Sequence, residues 1–181
     1  EHDIDRVLGF SHRVTVMNQG EVLMCGSPDE VRNDRRVQAV YTGTGTPPVT
    51  GRRAAASGEG APVLRFEKVN AYYGKSHILN DATLDVRQGE IIAVLGSNGV
   101  GKSTLNNNIS ALYRPFGGSI RFRGEELVGL GSPEVVRRGV IHVPEGRRVF
   151  PNLSVRENLE LGSVTRGKAR RAQNLERVAG I

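Results

Sequence analysis

The stretch "GEIIAVLGSNGVGKST", residues 89–104, constrains this chain more than any other. Ile91 to Leu95 is an unbroken apolar run between glycines, which predicts a strand covered on both faces, as in a parallel sheet flanked by helices. Directly after it, Gly96 to Ser103 fits the spacing G-x-x-x-x-G-K-[ST]. Glycines at those positions let the backbone curl until successive N–H groups face inward. The inward amides are those of Asn98, Gly99, Val100, Gly101, Lys102, Ser103 and Thr104, and the helix that follows adds the positive end of its dipole. Lys102 is placed to reach terminal phosphates as a point charge, and the Ser103 hydroxyl to ligate Mg²⁺. A glycine-rich turn that binds nothing is the alternative, and the preceding strand with the complete pattern disfavours it. The motif therefore predicts binding of ATP or GTP.

Segments on either side divide the chain. Residues 44–62 lie in "TGTGTPPVTGRRAAASGEGAP", which has almost nothing to anchor a core and reads as a linker. It separates residues 1–43, too few to be stable unaided, from residues 63–181. In the short piece, "RVTVMNQGEVLMCG" alternates around a turn as a hairpin does, with Val14 and Val16 on one face and Val22 and Met24 on one. A helix is expected at "SPDEV", where Ser27 caps, Pro28 suits the first helical position and Glu30 completes a capping box. In the longer piece, "VLRFEKV", "ATLDV" and "GSIRFRG" predict strands of an antiparallel flank. "SPEVVRRG" predicts a short helix closed by Gly139, "GVIHVPE" a further apolar strand, and Ser154 with Glu157 a second capping box. The fold class is α/β, a parallel core sheet with helices and an antiparallel β flank, preceded by the hairpin and helix.

Within the helix expected after the phosphate loop, "KSTLNNNISALYR" carries three consecutive asparagines, each costing up to about 0.7 kcal/mol against alanine. If Asn106 faces the sheet, its buried amide needs partners or forfeits about 1–3 kcal/mol.

Residues 63–181 resemble the N-terminal half of an ABC-transporter ATPase subunit, and most of all the second ATP-binding subunit of branched-chain amino acid importers. The resemblance rests on "VIHVPEGRRVFPNLSVRENLELG", with Glu145 to Leu159 following the pattern of that group, and on "GSNGVGKSTL". It implies a P-loop NTPase of the ABC ATPase type that binds ATP with Mg²⁺. Tyr73 falls at the position that stacks on adenine, although Tyr72 and Tyr73 also read as strand-end aromatics. Glu145 stands where the family places a metal- and water-contacting glutamine, its plainer reading being an exposed acid paired with Arg147 or Arg148. Phe150 is the implied apolar contact to a membrane subunit. "EHDID…SHRVTVMNQGEVLMCGSPDEV" resembles the C-terminal end of the first ATP-binding subunit of the same importers. That makes His2 the switch histidine, which contacts the γ-phosphate and the attacking water.

Past the phosphate loop the sequence has no strand ending in Asp-Glu and no "LSGG"-like signature, two motifs on which hydrolysis in the family depends. The chain is thus expected to bind ATP and hydrolyse it poorly, and reads as the end of one subunit joined to the beginning of the next, a fragment or part of a tandem fusion. Its expected partners are transmembrane permease subunits and a second ATPase subunit in a dimer, at the inner face of the plasma membrane. A regulatory nucleotide-binding module and a nucleic-acid-associated P-loop ATPase are the alternatives. Basic clusters such as Arg137-Arg138 lack interleaved aromatics, so no nucleic acid is expected. No run approaches the ~18 apolar residues of a membrane span, so no direct insertion is expected. Folding alone is expected to be marginal. A linker of about 20 residues spans about 25 Å, enough to bring His2 to the loop around Lys102. Such a composite site is nevertheless not expected, because the strand that should carry His2 pairs with elements this chain lacks.

Overall fold

The computed structural model describes residues 2–42, 61–146, 148–164 and 168–180. In chain order its elements are α1 (His2–Phe10), β1 (Arg13–Asn18), β2 (Glu21–Gly26), α2 (Pro28–Asn33), α3 (Arg35–Thr42), β3 (Leu64–Tyr73), β4 (Ser76–Val86) and β5 (Ile92–Leu95). They continue with α4 (Lys102–Ile109), β6 (Gly117–Phe122), β7 (Glu125–Glu126), α5 (Ser132–Arg138), α6 (Val155–Leu161) and α7 (Arg171–Ala179). These make two compact units, Glu1–Leu130 and Gly131–Ile181. The expected linker, 44–62, falls almost wholly outside the described residues.

The first unit holds two sheets. One has the order β2-β1-β5, with β1 antiparallel to β2 and parallel to β5. The expected hairpin forms, its two-residue turn made by Gln19 and Gly20, both with positive φ, which matches the twist of the flanking strands. A bulge between Val16 and Met17 interrupts the alternation, and β2 buries Leu23 while Val22 and Met24 are half-covered. Every residue of β1 is buried, because it lies between two strands with helices packed on it. Leu8 of α1, Val31 of α2 and Val37 of α3 join Val14, Val16 and Leu23 in one apolar cluster. Ala93 and Leu95 of β5 pack against that cluster. The two pieces on either side of the linker therefore share a core, at roughly 1.5–3 kcal/mol for each fully buried Val or Leu.

That arrangement reverses one expectation. The apolar run at β5 is half-buried along its length, and Ile91 just before it is exposed. Among the described residues β5 pairs with β1 alone, so it is an edge strand, and β1 is the strand covered on both sides. His2 opens a helix where a strand was expected.

The second sheet is antiparallel, ordered β4-β3-β6-β7, and buries Phe66, Val69, Leu79, Leu84 and Ile120. It is the flank the alternating sequences predict. Both predicted capping boxes are present, Ser27 with Glu30 before α2 and Ser154 with Glu157 before α6. Gly139 closes α5 in the left-handed conformation, as expected.

The second unit consists of α5, α6, a short 3-10 turn and α7. "GVIHV" is not a strand there; Ile141 and Val143 are exposed. A strand needs a neighbouring ladder, and no described strand pairs with this stretch.

The asparagine run of α4 also departs from expectation. Asn106 is exposed, whereas Asn108 shares the buried face with Thr104 and Leu105. Neither polar atom of the Asn108 side chain has a hydrogen-bond partner. Replacing it by alanine removes two unsatisfied groups and a poor helix former together. Asn108→Ala is therefore expected to raise stability by about 1–3 kcal/mol in urea denaturation.

Candidate functional site

Between β5 and α4 the phosphate loop takes the shape its glycines allow. Gly96 has φ +150°, and a Cβ there would lie 2.6 Å from the Met17 carbonyl oxygen and 2.8 Å from a Val100 methyl. Only glycine fits where β1 passes so close. Gly101, at φ +104°, opens α4, and a Cβ on it would meet a Leu79 methyl at 2.8 Å and the Ile78 carbonyl at 3.0 Å. The loop is thus packed between β1 of the N-terminal piece and β4 of the other sheet. Leu105 N–H donates to the Gly101 carbonyl at 2.8 Å, the first turn of the helix.

Side chains of the loop divide by burial. Val100 and Thr104 are buried and anchor it, so their contribution to an anion is the backbone N–H. Asn98, Gly99 and Ser103 are exposed and Lys102 is half-buried. The Lys102 ammonium donates to the Gly96 and Ser97 carbonyl oxygens at 2.7 and 2.8 Å, which holds it across the loop. An ammonium and a row of amides at a helix N-terminus are the donors that phosphate oxygens require, and the serine hydroxyl oxygen is the kind of ligand a hard cation takes. Among the described residues no three His, Cys, Asp or Glu side chains come together as a metal site.

At the end of β3, Tyr72 and Tyr73 have different surroundings. Tyr72 stacks on His77, centroids 4.2 Å apart and planes within 4°, and meets Phe116 edge-on. Tyr73 is 44% exposed and braced edge-to-face by Tyr113, centroids 4.6 Å apart. The Tyr113 hydroxyl donates to the Tyr72 carbonyl. Of the pair, Tyr73 keeps a ring surface available for stacking. Tyr113 is the brace that sequence reading missed, and no local signal marks it.

In the second unit Glu145 is exposed, and Arg148 donates from Nε to its main-chain carbonyl at 3.3 Å. Phe150 and Val149 are about 60% exposed. Asn158 of α6 fixes this segment: it accepts from Phe150 N–H at 2.9 Å and donates to the carbonyls of Phe150, Leu153 and Ser154. Asn158 was another residue not singled out from sequence. The side chain of His2 lies outside the described residues.

What joins the loop to the N-terminal piece is charge as well as packing. Arg13 of β1, 4% exposed, sits 2.9 Å from Glu90 Oε1, donates to Glu90 Oε2 at 3.2 Å and to the Asp85 carbonyl, and lies 3.7 Å from the Asp85 carboxylate. Glu90 also accepts from Arg87 N–H at 2.7 Å. Further along, Asn80 N–H donates to the Gly20 carbonyl at 3.0 Å, and its amide side chain donates to Glu21.

Known proteins match both pieces of the chain. A family model described as ABC transporter matches residues 79–181, and one described as branched-chain amino acid ATP-binding cassette transporter matches residues 21–46. The high-affinity branched-chain amino acid transport ATP-binding protein BraG of Pseudomonas aeruginosa is 49% identical over 100 residues, covering 55% of this chain and 43% of that protein. The probable branched-chain amino acid transport ATP-binding protein LivF of Archaeoglobus fulgidus is 38% identical over 103 residues, covering 57% of this chain and 44% of its own length. Among solved structures, a nucleotide-free ATP-binding cassette from an ABC transporter superposes with a TM-score of 0.54 at 26% identity, over 60% of this chain and 43% of that one. A dimeric bacterial ABC transporter cassette gives 0.53 at 26% identity, over 62% and 54%. The chain spans less than half the length of the two relatives named.

Removing Arg13 would leave Glu90, whose side chain is only 10% exposed, without its paired guanidinium. Arg13→Met is expected to destabilise the chain by about 3–5 kcal/mol in urea denaturation, and the double variant Arg13→Met, Glu90→Leu to recover much of that loss.

Proposed function

We propose, since this chain belongs to the ABC transporter family, that it is part of the ATP-binding component of an importer for branched-chain amino acids. The observation that carries the reading is the joining of two matches in one fold. The segment matched by the branched-chain model begins with β2, and β2 and β1 form one sheet with the strand that leads into the phosphate loop. The relatives named carry branched-chain amino acid transport in their descriptions, which supports the choice of solute class.

In this reading the amides of residues 98–104 and Lys102 hold the phosphates of ATP. Lys102 exchanges the carbonyls of Gly96 and Ser97 for phosphate oxygens, and Ser103 offers its hydroxyl to Mg²⁺. Bound Mg²⁺ supplies charge neutralisation across the terminal phosphates. Tyr73 stacks on adenine, held in place by Tyr113. Glu145 and His2 are the groups assigned to the metal, the attacking water and the γ-phosphate. Phe150, presented by the Asn158 clip, is assigned to the permease surface, and a second ATPase subunit to the dimer. Among the described residues no helix is long and apolar enough to cross a membrane.

Nothing in the sequence after the loop provides an Asp-Glu strand or an "LSGG"-like signature, so binding is expected to exceed turnover. Titration with a fluorescent ATP analogue in the presence of Mg²⁺ tests the site: Lys102→Ala is expected to weaken affinity by roughly tenfold or more. Tyr73→Ala should weaken it by a similar factor, while Tyr73→Phe stays near wild type. Phosphate release by the chain alone is expected to stay at background. Turnover at a rate usual for ATPases, or affinity indifferent to Lys102, would overturn the reading.

A further inference from the structure

The antiparallel sheet carries a constellation that the nucleotide site does not use. Arg65 on β3 and Arg121 on β6 are direct cross-strand partners. Like charges placed directly opposite destabilise a ladder. Arg123, two residues beyond Arg121, adds a third cation in the turn between β6 and β7. That turn has two residues, Arg123 at φ +52° and Gly124 at φ +85°, a geometry that favours Asn-Gly and strains an arginine. The chain keeps three arginines where strand pairing and turn chemistry both disfavour them.

They line one cavity. It measures about 620 Å³, and Arg65, Arg121, Arg123 and the Gln88 amide supply the long polar side chains of its wall, with no acidic residue among the described residues that line it. Small-molecule sites run from roughly 300 to 1,000 Å³. The carboxylates nearby already have cationic partners, and two of them pair with the arginines of this wall. Glu67 stands between Arg65 and Arg121 at 3.5 and 3.7 Å, and eases their repulsion. Glu126, 3.7 Å from Arg121, accepts from Ser119 Oγ and from the N–H groups of Ile120 and Val128. Burial pushes the Glu126 carboxyl up, but those hydrogen bonds and Arg121 outweigh it and keep the acid ionised. Asp85, opposite Arg65 on β4, is engaged by the buried Arg13. The Arg123 guanidinium lies 5.2 Å over the Phe122 ring, and the backbone N–H of Arg123 donates to the Val63 carbonyl at 2.7 Å, so the turn is tied to the start of β3.

Guanidinium side chains lining a cavity whose described wall holds no carboxylate are suited to bidentate recognition of phosphate oxygens. We propose that this cavity is an anion site for a small soluble phosphate-bearing molecule carrying at least two negative charges. It lies at the opposite end of β3 from Tyr73, roughly 25 Å along the strand, and is separate from the nucleotide site.

The test uses pyrophosphate as the probe, in the full chain carrying Lys102→Ala so that the phosphate loop contributes little. Calorimetry is expected to show binding that Arg65→Gln and Arg123→Asn each weaken by roughly tenfold or more. Arg123→Asn relieves the strained turn, so its melting temperature should match or exceed that of the parent while the anion is lost. Those opposite signs separate a lost ligand contact from a lost fold. Absence of pyrophosphate binding, or an affinity in both arginine variants unchanged from that of the Lys102→Ala parent, would overturn the proposal. So would sedimentation with phosphatidic acid vesicles that pyrophosphate does not compete away, since the ligand would then be a membrane surface.

Discussion

The first unit depends on four residues of parallel ladder, Arg13 to Val16 on β1 against Ile92 to Leu95 on β5, and on the buried guanidinium at its beginning. Without that ladder the strand leading into the phosphate loop has no hydrogen-bonded neighbour among the described residues. Without Arg13, the largely covered Glu90 carboxylate beside the same strand loses the guanidinium that pairs with it. The hydrophobic cluster follows from the same pairing, because Ala93 and Leu95 complete a core begun by Leu8, Val14, Val16 and Leu23. Gly96 is required for the same reason: it lies where the Met17 carbonyl leaves no room for a side chain.

Local chemistry made much of this legible beforehand. Capping boxes at Ser27 and Ser154, the hairpin turn at Gln19-Gly20, the glycine stop at Gly139 and the phosphate loop itself are each defined within a few residues, and all appear. What sequence reading missed depends on distant partners. An apolar run such as Ile91–Leu95 reads as fully buried, but how many neighbours it has is decided by strands elsewhere in the chain. "GVIHV" has the composition of a strand and no ladder to join, so its side chains are exposed. Tyr113 and Asn158 act through contacts that no spacing rule announces.

Asn108 and the arginine cluster are both local conflicts, and they differ in kind. Helical phase would have placed Asn108 on the face of Thr104, four residues earlier, and its buried amide is left without compensation. At Arg65 and Arg121 the repulsion is eased by Glu67 and the side chains surround a cavity. A cost without a partner resembles an accident of sequence; a cost arranged around an open volume resembles a use.

The β1–β5 ladder has a further consequence for the order in which the molecule assembles. His12 and Ile91 meet across 79 positions of chain, whereas the β1–β2 and β3–β4 hairpins close over a few residues each. Loop-closure entropy makes the distant pairing the slow one. The hairpins are therefore early structures, and the phosphate loop, whose first glycine is shaped by the Met17 backbone, is among the last parts of the unit to acquire its form. Nucleotide binding in such a chain would report completion of folding, since the loop exists only once the two ends of the unit have met.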